Sequence, residues 1–328
     1  MTRGFRKAVP VSIIQLLVIL LVAASCRTTP LITPATKPAL AASPGELLPQ
    51  WEPFAENITP ALSFFAGKVR EPRLELWAVR VDLEAPGLRI VVNGPDPLTG
   101  EFREGYIPST TVSRFVSRYD CLVGINANPY SLVSGKTQED RAIDGIAVAN
   151  GVVVSRPRPG FDALVFYEGP LRAAIVSQAE LSSLEGIRNA VGGFRIVLRD
   201  GETAKRLLPA DARLLPADTR LRTPAAPLPR HPRSAAGLSW DGRWLYLLAV
   251  DGRRPGSVGA TEAELAELLL RLGASEGLNF DGGGSTSLAL RFPNGKVRPV
   301  NSPIHNRIPG WERKVAICLG IGTEDDAR

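Results

Sequence analysis

The chain has 328 residues and a formal net charge of +6, from 39 basic residues against 33 acids. Five of those basic residues and one acid precede residue 51, so the remainder stands at +2. A near-neutral domain gives no electrostatic case for nucleic acid, and 2 widely spaced histidines with 3 cysteines argue against a zinc centre.

Arg3, Arg6 and Lys7 form a positive start, followed by an apolar run from Val11 to Ala24 broken only by Ser12 and Gln15. Ala23-Ala24-Ser25-Cys26 then resembles a bacterial lipoprotein signal, in which Cys26 is lipidated and becomes the first residue. Ala23 stands where a large apolar residue is usual, and an ordinary secretory signal or an uncleaved anchor is the alternative. The run is short and interrupted for a spanning helix. Residues 27–50 hold Pro30, Pro34, Pro38, Pro44 and Pro49 among Thr and Ala, a composition that makes a tether and no core. The expected product is therefore exported and membrane-anchored, facing the periplasm or cell exterior. Its organisation is a signal over 1–26, a tether over 27–50 and a domain over 51–328, roughly 275 residues and long enough for a large core.

Within the domain, Leu74 to Leu83 alternates like a strand, Ala85-Pro86-Gly87 turns it, and Leu88 to Val92 returns, which predicts a β-hairpin. Val112, Phe115, Val116 and Tyr119 fall on one face of a short helix. Leu122 to Ile125 reads as a buried strand that ends in the polar run Asn126-Ala127-Asn128. Asn150-Gly151 between apolar runs predicts a tight hairpin. Residues 161–167 and 171–176 make another strand pair, and Ser177 with Glu180 has capping-box spacing for a helix towards Arg188. A strand over 194–198 ends at Asp200-Gly201. The proline-rich stretch 202–232, with its tandem Leu-Leu-Pro-Ala-Asp repeat, reads as a surface loop.

Periodicity returns after His231-Pro232-Arg233. Trp244 to Val250 is a strand ending at Asp251-Gly252-Arg253. Thr261 and Glu264 form a capping box, Leu265, Leu268, Leu269 and Leu272 line one helix face, and Gly273 stops the helix. The next strand, over 277–280, delivers Asp281-Gly282-Gly283-Gly284-Ser285-Thr286, and Val315 to Ile321 is a last strand. The fold expected from this order is α+β: one large domain with a mixed sheet, flanking helices and a strand–helix–strand unit that carries the site. If the two strands of that unit are parallel neighbours, Asp251 and Asp281 emerge at one sheet edge. Cys121 and Cys318 sit in apolar strands, and two free buried thiols are expected in preference to a disulfide.

The glycine run is open to two readings, a chain reversal or an anion cradle of amides and hydroxyls. Its context resembles a known family. His231-Pro232-Arg233-Ser234-Ala235, Ala249-Val250-Asp251-Gly252-Arg253, the helix ending in Leu272-Gly273, and Asn279-Phe280-Asp281-Gly282-Gly283-Gly284-Ser285-Thr286 follow one another as in the phosphodiester glycosidases. Gly124-Ile125-Asn126, Asp144-Gly145-Ile146, Asn189 to Gly193, and Arg313-Lys314-Val315-Ala316 match its landmarks in order, so the likeness covers roughly residues 74–321. Ala127-Asn128-Pro129-Tyr130 departs from the glycines and aromatic usual after the first Asn, at the presumed sugar pocket.

The resemblance implies hydrolysis of a sugar-1-phosphodiester, on envelope glycans, to free sugar and a phosphomonoester. In that scheme Arg233 and Arg253 hold phosphate oxygens. Gly282, Gly283, Gly284, Ser285 and Thr286 line the same group. Asn126 and Asn128 contact the substrate, with Asn126 orienting sugar or phosphate, and Asp281 or Asp251 acts as base or nucleophile. Either acid could instead cap a turn or bind a divalent cation; no cofactor is required. The alternatives are a glycan-binding lipoprotein without turnover, and a phosphodiesterase that releases sugar phosphate.

Overall fold

A computed structural model describes residues 49–53, 59–95, 102–133, 140–204 and 229–324, all within one compact unit, Ala41–Arg328. The expected signal with Cys26, nearly all of the tether and most of the proline-rich loop lie outside the described residues.

Alternation dictates the largest layer. In Leu74–Asp82, residues 74, 76, 78, 79 and 81 are buried and the rest half-buried, so the strand offers an apolar row to each neighbouring layer. It sits inside an eight-stranded sheet in the order Gln50–Pro53, Leu62–Val69, Leu74–Asp82, Trp244–Val250, Arg233–Ser239, Ala274–Asn279, Arg195–Arg199, Glu202–Thr203. Two five-stranded sheets pack beside it. One runs Val152–Ser155, Ala147–Ala149, Ile187–Gly193, Asp162–Tyr167, Ala173–Ser177. The other runs Val297–Pro299, Leu288–Arg291, Val123–Asn126, Cys318–Thr323, Leu88–Val92. Leu247 and Leu278 from the first sheet, Leu164 and Phe166 from the second, and Ile125 and Leu319 from the third meet in one core.

Two α-helices occur among the described residues. Glu262–Leu272 lies on the outer face of the large sheet, where its Leu265, Leu268 and Leu269 pack with Leu248, Val250 and Leu198. Burial of three leucines stabilises the contact by ~2 kcal/mol each. The predicted capping box is present: Glu264 N donates to Thr261 Oγ1 at 3.2 Å and Thr261 N to Glu264 Oε2 at 2.9 Å. Gly273 closes the other end at φ 106°, a conformation that a β-carbon disfavours. The second helix, Val112–Arg118, buries Phe115 and Val116 against Ala289 and Cys318.

The α+β expectation is corrected. The fold is mostly β; among the described residues every ladder between strands is antiparallel, and the helices are two patches, not layers. The hairpin predicted over 74–92 is absent: Leu74–Asp82 pairs with Leu62–Val69 and Trp244–Val250, while Leu88–Val92 crosses to another sheet beside Cys318–Thr323. The helix expected after Ser177 is a single 3₁₀ turn, Gln178–Glu180, without a side-chain cap, and Ile187 already belongs to a strand. The Asn150-Gly151 hairpin and the 162–167/173–177 pair form as expected. Cys121 and Cys318 are free and buried, and burial pushes the Cys121 thiol up to about 12.

The strand–helix–strand unit has a different topology from the one expected. Arg233–Ser239 lies between Trp244–Val250 and Ala274–Asn279 and is antiparallel to both. The two outer strands therefore point the same way without pairing with each other. Their carboxyl ends, at residues 250 and 279, meet the amino end at Arg233 along one edge.

Candidate active site

At that edge the two acids enter different surroundings. Asp251 is 1% exposed, and its carboxylate accepts from Asn301 Nδ2 at 3.1 Å, twice from Ser302 N at 3.0 Å, and from the Arg254 guanidinium. Its own carbonyl accepts from Ser257 Oγ at 2.6 Å. Burial pushes its pKa up, and Arg254, Asn301 and Ser302 pull it back. Asp251 thus pins the end of its strand to the 301–302 loop, with no lone pair turned to a ligand.

Asp281 is held through its backbone instead. Its N donates to Ala127 O at 2.8 Å and its carbonyl accepts from Asn126 Nδ2 at 2.6 Å. Burial pushes the carboxyl up to about 6 against the opposing influence of Ser285, Arg313 and the Gly282 amide. Ser285 Oγ is near enough to favour the charged form yet makes no formed hydrogen bond; Thr286 Oγ1 beside it is also buried and unpartnered among the described residues. Two orphaned buried hydroxyls next to an acid of raised pKa describe a place where something binds.

The three glycines are required by close approach. A β-carbon on Gly282 would lie 2.7 Å from Pro232 O. On Gly283, which has φ +62°, it would lie 2.8 Å from an Arg253 terminal nitrogen, and on Gly284 2.5 Å from one of Arg313. Two guanidiniums therefore rest on the glycine run. This differs from an amide cradle: Gly283 N is already given to Pro232 O at 2.8 Å. Positive charge here comes from side chains, in the fork geometry that suits phosphate.

Each of these arginines has a histidine. Arg313 Nε donates to His305 Nδ1 at 3.1 Å, and an Arg253 terminal nitrogen lies 3.4 Å from His231 Nδ1. Burial, then the adjacent arginines, lower both histidine pKa values, so neutral rings serve as acceptors. The chain's only two histidines stand at this one site.

The other expected residues are placed less directly. Arg233 is buried; its Nε donates to Ala260 O at 2.9 Å, and its Nη1 lies 3.6 Å from Glu262 Oε1, so it braces the start of the helix. Asn126 joins three segments, accepting from Ser234 Oγ at 2.7 Å and Ser287 N at 3.1 Å. Asn128 donates to Asp144 O and Ile146 O and accepts from Gly192 N at 2.8 Å. Both asparagines hold the walls together and spend most of their hydrogen-bonding capacity doing so. No group of three or more His, Cys, Asp or Glu positioned for a metal gathers among the described residues.

Residues 119–322 match the sequence profile of the phosphodiester glycosidases. The chain belongs to the phosphodiester glycosidase family. A curated relative, the SPbeta prophage-derived uncharacterized protein YomE of Bacillus subtilis, is 26% identical over 240 residues; these make 70% of this chain, which spans only 32% of that relative. Among solved structures, the zebrafish N-acetylglucosamine-1-phosphodiester α-N-acetylglucosaminidase catalytic domain, auto-inhibited by its pro-peptide, aligns with a TM-score of 0.55 at 17% identity, covering 84% of this chain and 88% of that one. A hypothetical protein from Synechocystis aligns at 0.52 and 15% identity, covering 84% of this chain and 64% of the other. These likenesses show a shared fold. Within it, the family's glycine run is where this chain gathers Asp281, Arg253, Arg313 and the two histidines. Arg313 and His305 were not singled out as site residues from the sequence, although Arg313 opens one of the family landmarks.

Proposed function

We propose that the chain is a hydrolase that cleaves a sugar-1-phosphodiester to free sugar and a phosphomonoester. One observation carries this reading: the Arg253 and Arg313 guanidiniums rest on the glycine run beside Asp281, an acid of raised pKa next to two unpartnered hydroxyls. Two guanidiniums with no carboxylate locking them among the described residues match a phosphodiester anion, and they neutralise the charge that grows on phosphate as it leaves. A leaving phosphate needs little protonation, which suits a site with one available acid. Asp281, ionised above about 6, takes a proton from water as the water oxygen bonds to the anomeric carbon. The bond from that carbon to the phosphate oxygen breaks, and its electron pair stays on the phosphate. Attack by Asp281 itself, followed by hydrolysis, is the two-step form of the same reaction.

The test is incubation of the purified protein with a synthetic GlcNAc-1-phosphodiester and with UDP-sugars, followed by product analysis. Free sugar is the expected product. Sugar phosphate as the only product would show cleavage of the other P–O bond, and no product from folded protein would leave a glycan-binding role. Export with lipidation at Cys26, and action on envelope glycans, complete the proposal. Loss of fatty-acid labelling in Cys26→Ala checks the anchor.

A further inference from the structure

Beside the site projects a short hairpin, Ile304–His305 with Ile308–Pro309, whose tip the reaction itself does not use. Its tip residues Asn306 and Arg307 both have positive φ, 50° and 65°. Arginine in that region is disfavoured by about 1 kcal/mol where glycine would be free. The tip nevertheless presents Arg307 to solvent, flanked by Ile308 at 45% and Trp311 at 53% exposure. Trp311 is not loose. His305 N donates to its carbonyl at 3.1 Å, its N donates to Ile308 O at 3.3 Å, and its ring stands nearly perpendicular to that of His305, 6.0 Å between centroids. His305 is the acceptor for Arg313, which lies on Gly284. One chain of contacts thus runs from the phosphate-binding arginine to an indole with about half its surface open.

Building on the phosphodiester glycosidase reading, we infer that Trp311 and Arg307 form a subsite for the leaving side of the substrate, and that this side is a chain of alternating sugar and phosphate. The indole takes the apolar face of the first sugar beyond the scissile phosphate, and Arg307 takes the next phosphate. A single rigid aromatic surface with a polar rim matches a sugar ring, which has apolar C–H faces and hydroxyls around its edge. A lipid tail would need continuous apolar cover. Here Ile308 and Trp311 are separated by Pro309-Gly310 and preceded by the polar Asn306 and Arg307, so the exposed run offers no continuous apolar cover. An arginine at the exposed tip offers a second phosphate the planar donor fork that suits it.

The experiment compares affinities in the full chain carrying Asp281→Asn, so that substrate persists. Two ligands are used: a GlcNAc-1-phosphodiester with a methyl leaving side, and the same sugar phosphate extended by two further sugar-phosphate units. The long ligand is expected to bind at least ~10-fold more tightly. Trp311→Ala should reduce that advantage to within ~2-fold, Trp311→Phe should retain part of it, and Arg307→Ala should halve it or more while flattening its salt dependence. Because the ratio of the two affinities is read, any loss transmitted through His305 to Arg313 affects both ligands and cancels. A long-chain advantage that survives Trp311→Ala, its absence in the parent, or an equal gain from a decyl leaving side would each overturn the subsite. Turnover by unsubstituted protein, measured in parallel, separates this outcome from failure of the hydrolase reading itself.

Discussion

The loops at Asp251 and Asp281 start from the same script and end differently. Each places an Asp-Gly pair at the carboxyl end of a strand, on the same edge of the same sheet, and each acid is buried enough to raise its pKa. Asp251 meets Asn301, Ser302 and Arg254, and all its acceptor capacity closes inward. Asp281 faces the Ser285 hydroxyl, which makes no formed bond, and the Arg313 guanidinium, which rests on Gly284 of the same loop. Burial alone therefore does not mark a chemical acid. What separates a clamp from a reactive group is whether the surrounding donors are satisfied without a ligand.

Neutralising the two acids should break the comparison most visibly. Asp281→Asn is expected to lower turnover by ~10³-fold or more while the fold remains. It should also raise stability. Folding favours the protonated form of Asp281, so its contribution is full below about 3.8 and is lost as pH rises to about 6. The Asn variant should thus be ~1–3 kcal/mol more stable than the parent at pH 7, read by urea unfolding. Asp251→Asn should do the reverse: its amide turns a donor towards Ser302 N or Asn301, destabilising the fold by ~2–4 kcal/mol. Turnover per folded molecule should stay within about tenfold. A variant at 251 that is stable but dead would sink the distinction.

Arg313→Ala should reduce kcat/KM by ~10²-fold, and lysine should restore little of it because the fork geometry is lost. A methyl at Gly284 would drive into that guanidinium, so Gly284→Ala should cost about tenfold in kcat/KM with almost no change in thermal midpoint. The smallest effect concerns protons. Activity should rise with pH through about 6 as Asp281 ionises. His305→Gln, which can still accept from Arg313 but cannot become a cation, should raise relative activity on the acidic side by a few-fold.

Local chemistry explains which features were legible in the sequence. The capping box at Thr261, the stop at Gly273 and the Asn150-Gly151 turn are decided by residues close together in the chain, and they form as expected. Strand partners are decided elsewhere. Nothing between 74 and 92 reveals that Leu88–Val92 prefers Cys318–Thr323 to its own neighbour. The shared edge was foreseen for a partly wrong reason: the strands carrying Asp251 and Asp281 are parallel in direction, but Arg233–Ser239 lies between them. Asp251 looked as reactive as Asp281 because, Arg254 apart, the donors that close it, Asn301 and Ser302, lie fifty residues downstream. Arg313 and His305 escaped notice for the same reason, since they reach the glycine run through a separate hairpin. Two histidines in so long a chain, one of them inside a family landmark, were a signal read only as evidence against zinc.

Cys318–Thr323 lies in the interior of its sheet, between Val123–Asn126 and Leu88–Val92. A ribosome must therefore deliver almost all of the described chain before that sheet can close. Val123–Asn126 carries Asn126, the anchor of Asp281, and until then it is paired on one side only, with Leu288–Arg291. Long-range pairing of this kind makes folding slow and late. Until that strand arrives, the core that the three sheets share stays open on the side of Cys318–Thr323.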